Sequence, residues 1–368
     1  MIRIKKFLKT NIIFSIATLL AMVTCLFVPI TKEYINYFDF NTLTCLLCLL
    51  VVVEGLKNTG FLQYISIKVI NLLKNTRYLI AGLIFLTVVF DLILANDMSL
   101  LTLLPFTYIV LKNTNNLKYL SYTLVLQTIA ANMSGMIVPH GNPQNLYLYS
   151  YFNISTFEFI KTLLPQFLTV ILLLLLCTLV IKKEPLTIHT DFDKKPEKIK
   201  TTIYMVMFVF SLAIVFRFIP YIIGVIPILI ISFFLDKKSL KTVDYTIILT
   251  FCAFFIFSGN LSRINAIHSF LTNIVDKNVF WGGIISCQFI SNVPTAILLS
   301  KFTENYRELL ISVNIGSLGT MISSLASLIT LKEFLKHKPD KFWSYLGLFT
   351  LVNIIFFVIL LIVTLIVI

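Results

Sequence analysis

The chain has 368 residues, 58% of them hydrophobic and 13% charged, with a mean hydropathy of +0.93. Soluble domains run to about half apolar and a quarter charged, so a soluble globular protein is excluded and a polytopic membrane protein is indicated. The net charge of +13 does not point to nucleic acid, because Lys and Arg cluster in short loops between apolar runs, with no basic stripe interleaved with aromatics.

At the N-terminus Arg3, Lys5, Lys6 and Lys9 precede an apolar run over 12–30. It exceeds the ~7–15 residues of a signal-peptide core and no small-x-small site follows, so it reads as a first span with a cytoplasmic N-terminus. A second span over 39–54 leads into 56–77, where Lys57, Lys68, Lys74 and Arg77 alternate with Leu, Ile and Phe as in an interfacial amphipathic helix. Glu54, close to Lys57, is expected at the interface. Two apolar arms, 78–94 and 98–111, meet at Ala95-Asn96-Asp97 and carry basic residues at both outer ends. That pattern predicts a re-entrant hairpin with its tip at Asn96-Asp97. The six cysteines all lie within apolar runs, and Cys45-x-x-Cys48 lacks a second pair or a nearby His to complete a metal site.

Residues 130–146, AANMSGMIVPHGNPQNL, interrupt a run otherwise long enough to span a bilayer. Pro139 and Pro143 each remove a backbone donor and clash with the preceding turn, so one continuous helix is excluded. In lipid, broken backbone survives only where protein buries it or it lines a watery cavity, and such breaks are the usual binding-site device of secondary transporters. A span over 157–181 follows, then a Lys-rich linker over 182–200. A helical pair over 201–219 and 221–235 turns at Pro220, and 236–241 returns to the cytoplasm.

The pattern then repeats. Val243-Asp244-Tyr245 parallels Phe38-Asp39-Phe40, both aspartates being expected helix caps, and Ser258-Gly259-Asn260-Leu261 parallels Val53-Glu54-Gly55-Leu56. An amphipathic piece over 262–276 precedes a second pair of arms around Ser291-Asn292-Val293. Residues 313–320, VNIGSLGT, stand where 131–138 stood, and Ser323, Ser324 and Ser327 follow. The run 342–368 is a last span. On this topology 23 of the 30 Lys and Arg fall on the cytoplasmic side and six outside, with Arg217 inside a span near its end. That bias makes the two repeats inverted. The division is a framework span (1–38), repeat 1 (39–181), a linker (182–200), a framework pair (201–242) and repeat 2 (243–368). The expected fold is all-α, with about ten transmembrane helices, two re-entrant hairpins and two broken helices.

Together Ala95-Asn96-Asp97, Asn132-Met-Ser-Gly135 running into His140-Gly-Asn-Pro-Gln-Asn145, and Ser291-Asn-Val-Pro-Thr295 resemble the ion transporter superfamily. Divalent-anion/sodium symporters, citrate carriers, arsenite permeases and certain sodium/proton antiporters belong to it. The likeness runs from about Asp39 to the end and is nearest the citrate-permease and arsenite-permease branch. The tips depart from the Ser-Asn-Thr of the sodium/dicarboxylate branch. The resemblance implies that two hairpin tips and two unwound helices meet near the midplane, with half-helix N-termini facing an anion and free oxygens facing a cation. It also carries a homodimer as the oligomeric expectation.

The expected substrate and ion site comprises Asn96, Asp97, Asn132, Ser134, His140, Gly141, Asn142, Gln144 and Asn145 from the first half. Ser291, Asn292, Thr295, Asn314, Ser317, Thr320 and Ser323 come from the second. Asp97 and Asp91 are the coupling candidates, since an acid at mid-depth is costly unless it has a role. A Na⁺ is expected near Asn96 and Asn292, with H⁺ the other coupling ion. Arg217, near Pro220, is expected to snorkel to the interface. No His-Glu-x-x-His, Gly-x-Ser-x-Gly or Walker motif is present, which argues against an enzyme or a primary pump. The sequence therefore points to a permease moving a small anion, citrate, a dicarboxylate or an inorganic oxyanion, with H⁺ or Na⁺. A Na⁺/H⁺ antiporter of the same fold and an arsenite efflux permease are the alternatives, and no cofactor is expected.

Overall fold

The computed structural model describes residues 12–186 and 195–367, and these are helical with short connections and no strand. The expectations for 1–11, for the middle of the linker and for residue 368 lie outside them. In the first half the helices are α1 (Ile12–Cys25), α2 (Phe40–Asn58), α3 (Phe61–Ile70), α4 (Thr76–Leu94), α5 (Asn96–Asn113), α6 (Leu120–Ser134), α7 (Pro143–Tyr151) and α8 (Thr156–Leu179). Next come α9 (Lys198–Val215), α10 (Tyr221–Leu235) and α11 (Lys237–Thr242). The second half holds α12 (Thr246–Arg263), α13 (Asn265–Lys277), α14 (Val279–Ile290), α15 (Asn292–Leu299), α16 (Tyr306–Ile315), α17 (Leu325–His337) and α18 (Phe342–Val367).

Six helices, α2, α4, α8, α9, α12 and α18, are each long and apolar enough to cross a membrane. The described part of α1 has 14 residues and α10 has 15, short of the ~20 a bilayer needs, and the interrupted runs are divided into pieces, so among the described residues fewer than the ten expected spans stand out by length alone. Exposed Leu, Ile and Val crowd the outer faces of α8 and α18, as lipid-facing surfaces require.

Asp39 starts α2 as expected, accepting from the Thr42 N–H at 3.1 Å, and Asp244 accepts from the Thr246 N–H at 3.0 Å. Glu54 is buried in α2 and pairs with Lys57 at 3.4 Å, where an interfacial position was expected. The two framework pieces cross over. The Tyr204 ring of α9 covers Gly55 of α2, where a Cβ would lie 2.1 Å from it, and the Tyr37 ring covers Gly259 of α12, where a Cβ would lie 2.3 Å away. The N-terminal span thus packs on the second half and the central pair on the first. Only glycine permits either approach. The start of the linker is pinned to the first half: Thr76 N–H donates to the Glu184 carbonyl at 2.9 Å, and Lys118 pairs with the Glu184 carboxylate at 3.0 Å. That carboxylate holds the Lys118 ammonium above its ordinary value.

Candidate functional site

Four helix breaks meet in the interior. At the first, α4 stops at Leu94 and α5 starts at Asn96, so the turn is the single residue Ala95, at φ 88° and ψ 149°. The break between α14 and α15 is the single residue Ser291, at φ 74° and ψ 160°. Non-glycine residues hold such backbone only where surrounding contacts impose it. Asn96 and Asp97 belong to the first turn of α5, so the tip lies one residue earlier than the sequence suggested.

Each tip is tied to the unwound stretch that follows it in sequence. The Asn96 N–H donates to the Gly141 carbonyl at 3.0 Å, and the Asn292 N–H to the Ser323 carbonyl at 2.9 Å. Side-chain geometry repeats as well, since the Asn96 Oδ1 accepts from the Asp97 N–H at 2.8 Å and the Asn292 Oδ1 from the Val293 N–H at 2.9 Å. Each oxygen is thus engaged by the N–H of the next residue, within the first turn of its helix. A cation at either tip would share them, whereas the amide NH₂ groups face no such competition.

The first break runs from Gly135–Ile137, a 3₁₀ turn, to Asn142, the N-cap of α7 with Pro143 at its first position. It closes on itself: a Cβ at Gly141 would lie 2.2 Å from the Gly135 carbonyl oxygen. A Cβ at Gly135 would lie 2.5 Å from Asp91 Oδ2 and 2.9 Å from Asn142 Oδ1. Ser134 Oγ donates to Asp91 Oδ2 at 2.9 Å. In the second break Ser317 Oγ donates to the Asn314 carbonyl and Ser323 Oγ to the Ser317 carbonyl, each at 2.6 Å. Thr295 Oγ1 donates to the Ser291 carbonyl at 2.8 Å, closing the first turn of α15.

Asn132 joins the halves. Its carbonyl accepts from Asn142 Nδ2 at 2.9 Å, and its Oδ1 accepts from the hydroxyl of Ser324, the N-cap of α17, at 2.6 Å. Asn314 makes a second link, donating from Nδ2 to Asn145 Oδ1 at 2.7 Å, with Gln144 Nε2 3.5 Å from Asn314 Oδ1. Through these bonds the N-termini of α5, α7, α15 and α17 gather at one place and direct the positive ends of their peptide dipoles there. Five buried polar atoms of this cluster lack a hydrogen-bond partner: Asp91 Oδ1, Asp97 Oδ1, Asn142 Oδ1, Gln144 Oε1 and Asn132 Nδ2. Four are oxygens. Their remaining hydrogen-bonding capacity is available to water or to a bound ion. Among the described residues no Lys or Arg bonds to the cluster, and no group of three His, Cys, Asp or Glu could hold a metal.

Not every expected residue joins it. His140 Nε2 lies 3.1 Å from the Leu92 carbonyl, which makes that nitrogen the donor, and Phe208 and Phe216 meet the ring edge-on. The contact fastens the unwound stretch to α4. Thr320 does the same in the second half, donating from Oγ1 to the Gln288 carbonyl at 3.1 Å. Gln288 itself was missed: its Nε2 donates to the Gly316 and Leu318 carbonyls at 2.8 and 3.0 Å, and its Oε1 accepts from the Thr320 N–H at 2.9 Å. A lone Gln four residues before a hairpin tip was the available signal. Arg217 is exposed and has partners of its own. Its guanidinium bonds the Tyr149 and Ile154 carbonyls and Asn153 Oδ1, and it stacks on the Tyr149 ring at 4.2 Å, so it caps the C-terminal end of α7.

The sequence model described as citrate transporter matches residues 2–306. An uncharacterized transporter of Methanocaldococcus jannaschii is 34% identical over 82% of each chain. The inner membrane protein YbiR of Escherichia coli is 26% identical over 87% of each.

Proposed function

This chain belongs to the citrate transporter family and is a multi-pass membrane transporter, and from that premise we propose that it is a secondary active carrier of a small anion coupled to H⁺ or Na⁺. The observation that carries this reading is the junction at Asn132, which holds the N-caps of α7 and α17 in one cluster. Four helix N-termini there favour negative charge, and the unpaired oxygens of Asp91, Asp97, Asn142 and Gln144 favour a proton or small cation beside it. Citrate, a dicarboxylate or an inorganic oxyanion fits that pairing of charges.

On this reading α4–α5 and α14–α15 are re-entrant hairpins, the repeats 39–181 and 243–368 are inverted, and the N-terminus is cytoplasmic. The paired tips and breaks would move as a body between faces, against the framework of α1, α9 and α10. The exposed apolar faces leave room for a homodimer. A second reading, Na⁺/H⁺ exchange, is favoured by two buried acids with no Lys or Arg bonded to the cluster.

Uptake into proteoliposomes of the purified protein separates the two. The panel is citrate, succinate, sulfate, phosphate and arsenite under imposed proton or sodium gradients, with Asn142→Ala/Asn145→Ala as control. Gradient-driven uptake of one anion, lost in the control, supports the carrier. Sodium-driven proton movement without anion uptake replaces it with the exchanger.

A further inference from the structure

The two halves match in backbone and differ in charge. Asp91 lies four residues before the tip residue Ala95, and Cys287 lies four before Ser291. Their surroundings correspond. A Cβ at Gly135 would meet the Asp91 carboxylate at 2.5 Å, and a Cβ at Gly316 would meet Cys287 Cβ and Sγ at 3.0 Å. Asp91 and Cys287 are both fully buried. Two positions after each tip residue stands Asp97 in the first half and Val293 in the second. The first half thus carries two acids at positions where the second carries a thiol and an isopropyl group.

The Asp91 carboxylate takes the Gly135 N–H and, on Oδ2, the Ser134 hydroxyl, which also lies 2.7 Å from the Ala130 carbonyl and so shares its one proton, while Oδ1 has no partner. Asn142 Nδ2 is committed to the Asn132 carbonyl, and Asn142 Oδ1, which has no donor, stands near Asp91 Oδ2 over Gly135. A proton on the carboxyl supplies a donor to that amide oxygen and relieves the repulsion between the two.

The titratable groups facing this point are few. α5 brings Asp97, and the unwound stretch brings His140, held on the Leu92 carbonyl. α6 and α8 bring Tyr122 and Cys177, bonded together through the Cys177 carbonyl about 18 Å along α6 from Ser134. α3 carries Tyr64 and, in its last turn, Lys68, which is exposed and turned away from this point.

We propose that proton coupling in this carrier is one-sided: Asp91 of the first half takes up the single coupled proton, and Cys287 is its silent counterpart. The inference rests on the carrier reading and its two matched halves. A proton delivered by water forms the O–H bond on Asp91 and leaves by the reverse step on the opposite face, so each cycle carries one.

Infrared titration of the purified protein in liposomes tests this without any substrate, so a wrong carrier assignment and a wrong proton site give different results. The carbonyl band of a protonated buried carboxyl is followed from acid to alkaline pH. One such band, lost in Asp91→Asn and kept in Asp97→Asn, is expected, and Cys287→Asp should add a second of similar area. A band lost in Asp97→Asn and kept in Asp91→Asn overturns the assignment, as does a sodium-dependent band shift. Should Asp91→Asn fail to insert, Ser134→Ala is the second variant. It removes one donor to the carboxylate and should move the midpoint of the same band to higher pH, and an unmoved midpoint counts against Asp91.

Discussion

The Asn96 N–H donates to the Gly141 carbonyl at 3.0 Å, joining a hairpin tip to a helix break 45 residues later in the chain. Because the bond is between main chains, no side-chain substitution removes it directly. What can remove it is a change in the backbone path of 135–141, and that path depends on two glycines.

Gly141→Ala is therefore expected to be among the most damaging single changes. Its Cβ would sit 2.2 Å from the Gly135 carbonyl, a backbone atom that cannot rotate away. Overpacking of this kind costs about 1–3 kcal/mol. Thermal unfolding in detergent should show a clearly lower midpoint, and transport should be lost. Gly347→Ala, on α18 with nothing within 4 Å, is the control that should leave both unchanged.

Asn145 and Asn314 should behave as one unit. Each single alanine variant breaks the 2.7 Å bond and strands a buried amide, so the double variant should cost less than the sum of the singles. A coupling of about 1 kcal/mol is expected from a double-mutant cycle on thermal stability. Strict additivity would show that the halves are not joined there.

Much of this site was legible in the sequence because the signals are local. Pro139 and Pro143 forbid one continuous helix through this stretch whatever surrounds them, and Asp39 declares itself as a cap by standing at the start of an apolar run. Long-range partners were not legible. Periodicity carries no trace of the Tyr204 ring on Gly55, the Tyr37 ring on Gly259 or the exchange of framework pieces they create. Arg217 looked like an interfacial residue because Pro220 is near; its actual partners are more than sixty positions away. The tip register was off by one because Asn96 and Asp97 resemble loop residues, yet both lie in the first turn of α5, where Asn96 Oδ1 takes the Asp97 N–H.

Asp97→Asn removes an acid that is 6% exposed, with Oδ1 unpaired, in the first turn of α5. The amide keeps the shape and removes the charge. Transport is expected to continue at reduced rate with its dependence on the proton gradient kept, read as uptake under each gradient separately. A lost or shifted proton dependence would make Asp97, rather than Asp91, the coupling acid.

Arg217→Lys tests whether the end of α7 must be held for the site at its other end to work. Arginine reaches two carbonyls and a side-chain oxygen at once through its planar fork, and stacks on Tyr149. Lysine keeps the charge but offers a point donor, so the charge alone cannot rescue the contact. α7 spans only Pro143–Tyr151, about 14 Å, so fraying at Tyr149 lies two turns from Asn142. Uptake should fall several-fold in both Arg217→Lys and Arg217→Ala, with the ion dependence unchanged, because no ionisable group of the cluster is touched. Wild-type uptake in the lysine variant would show that the charge near the interface, rather than the cap on α7, is what the protein uses.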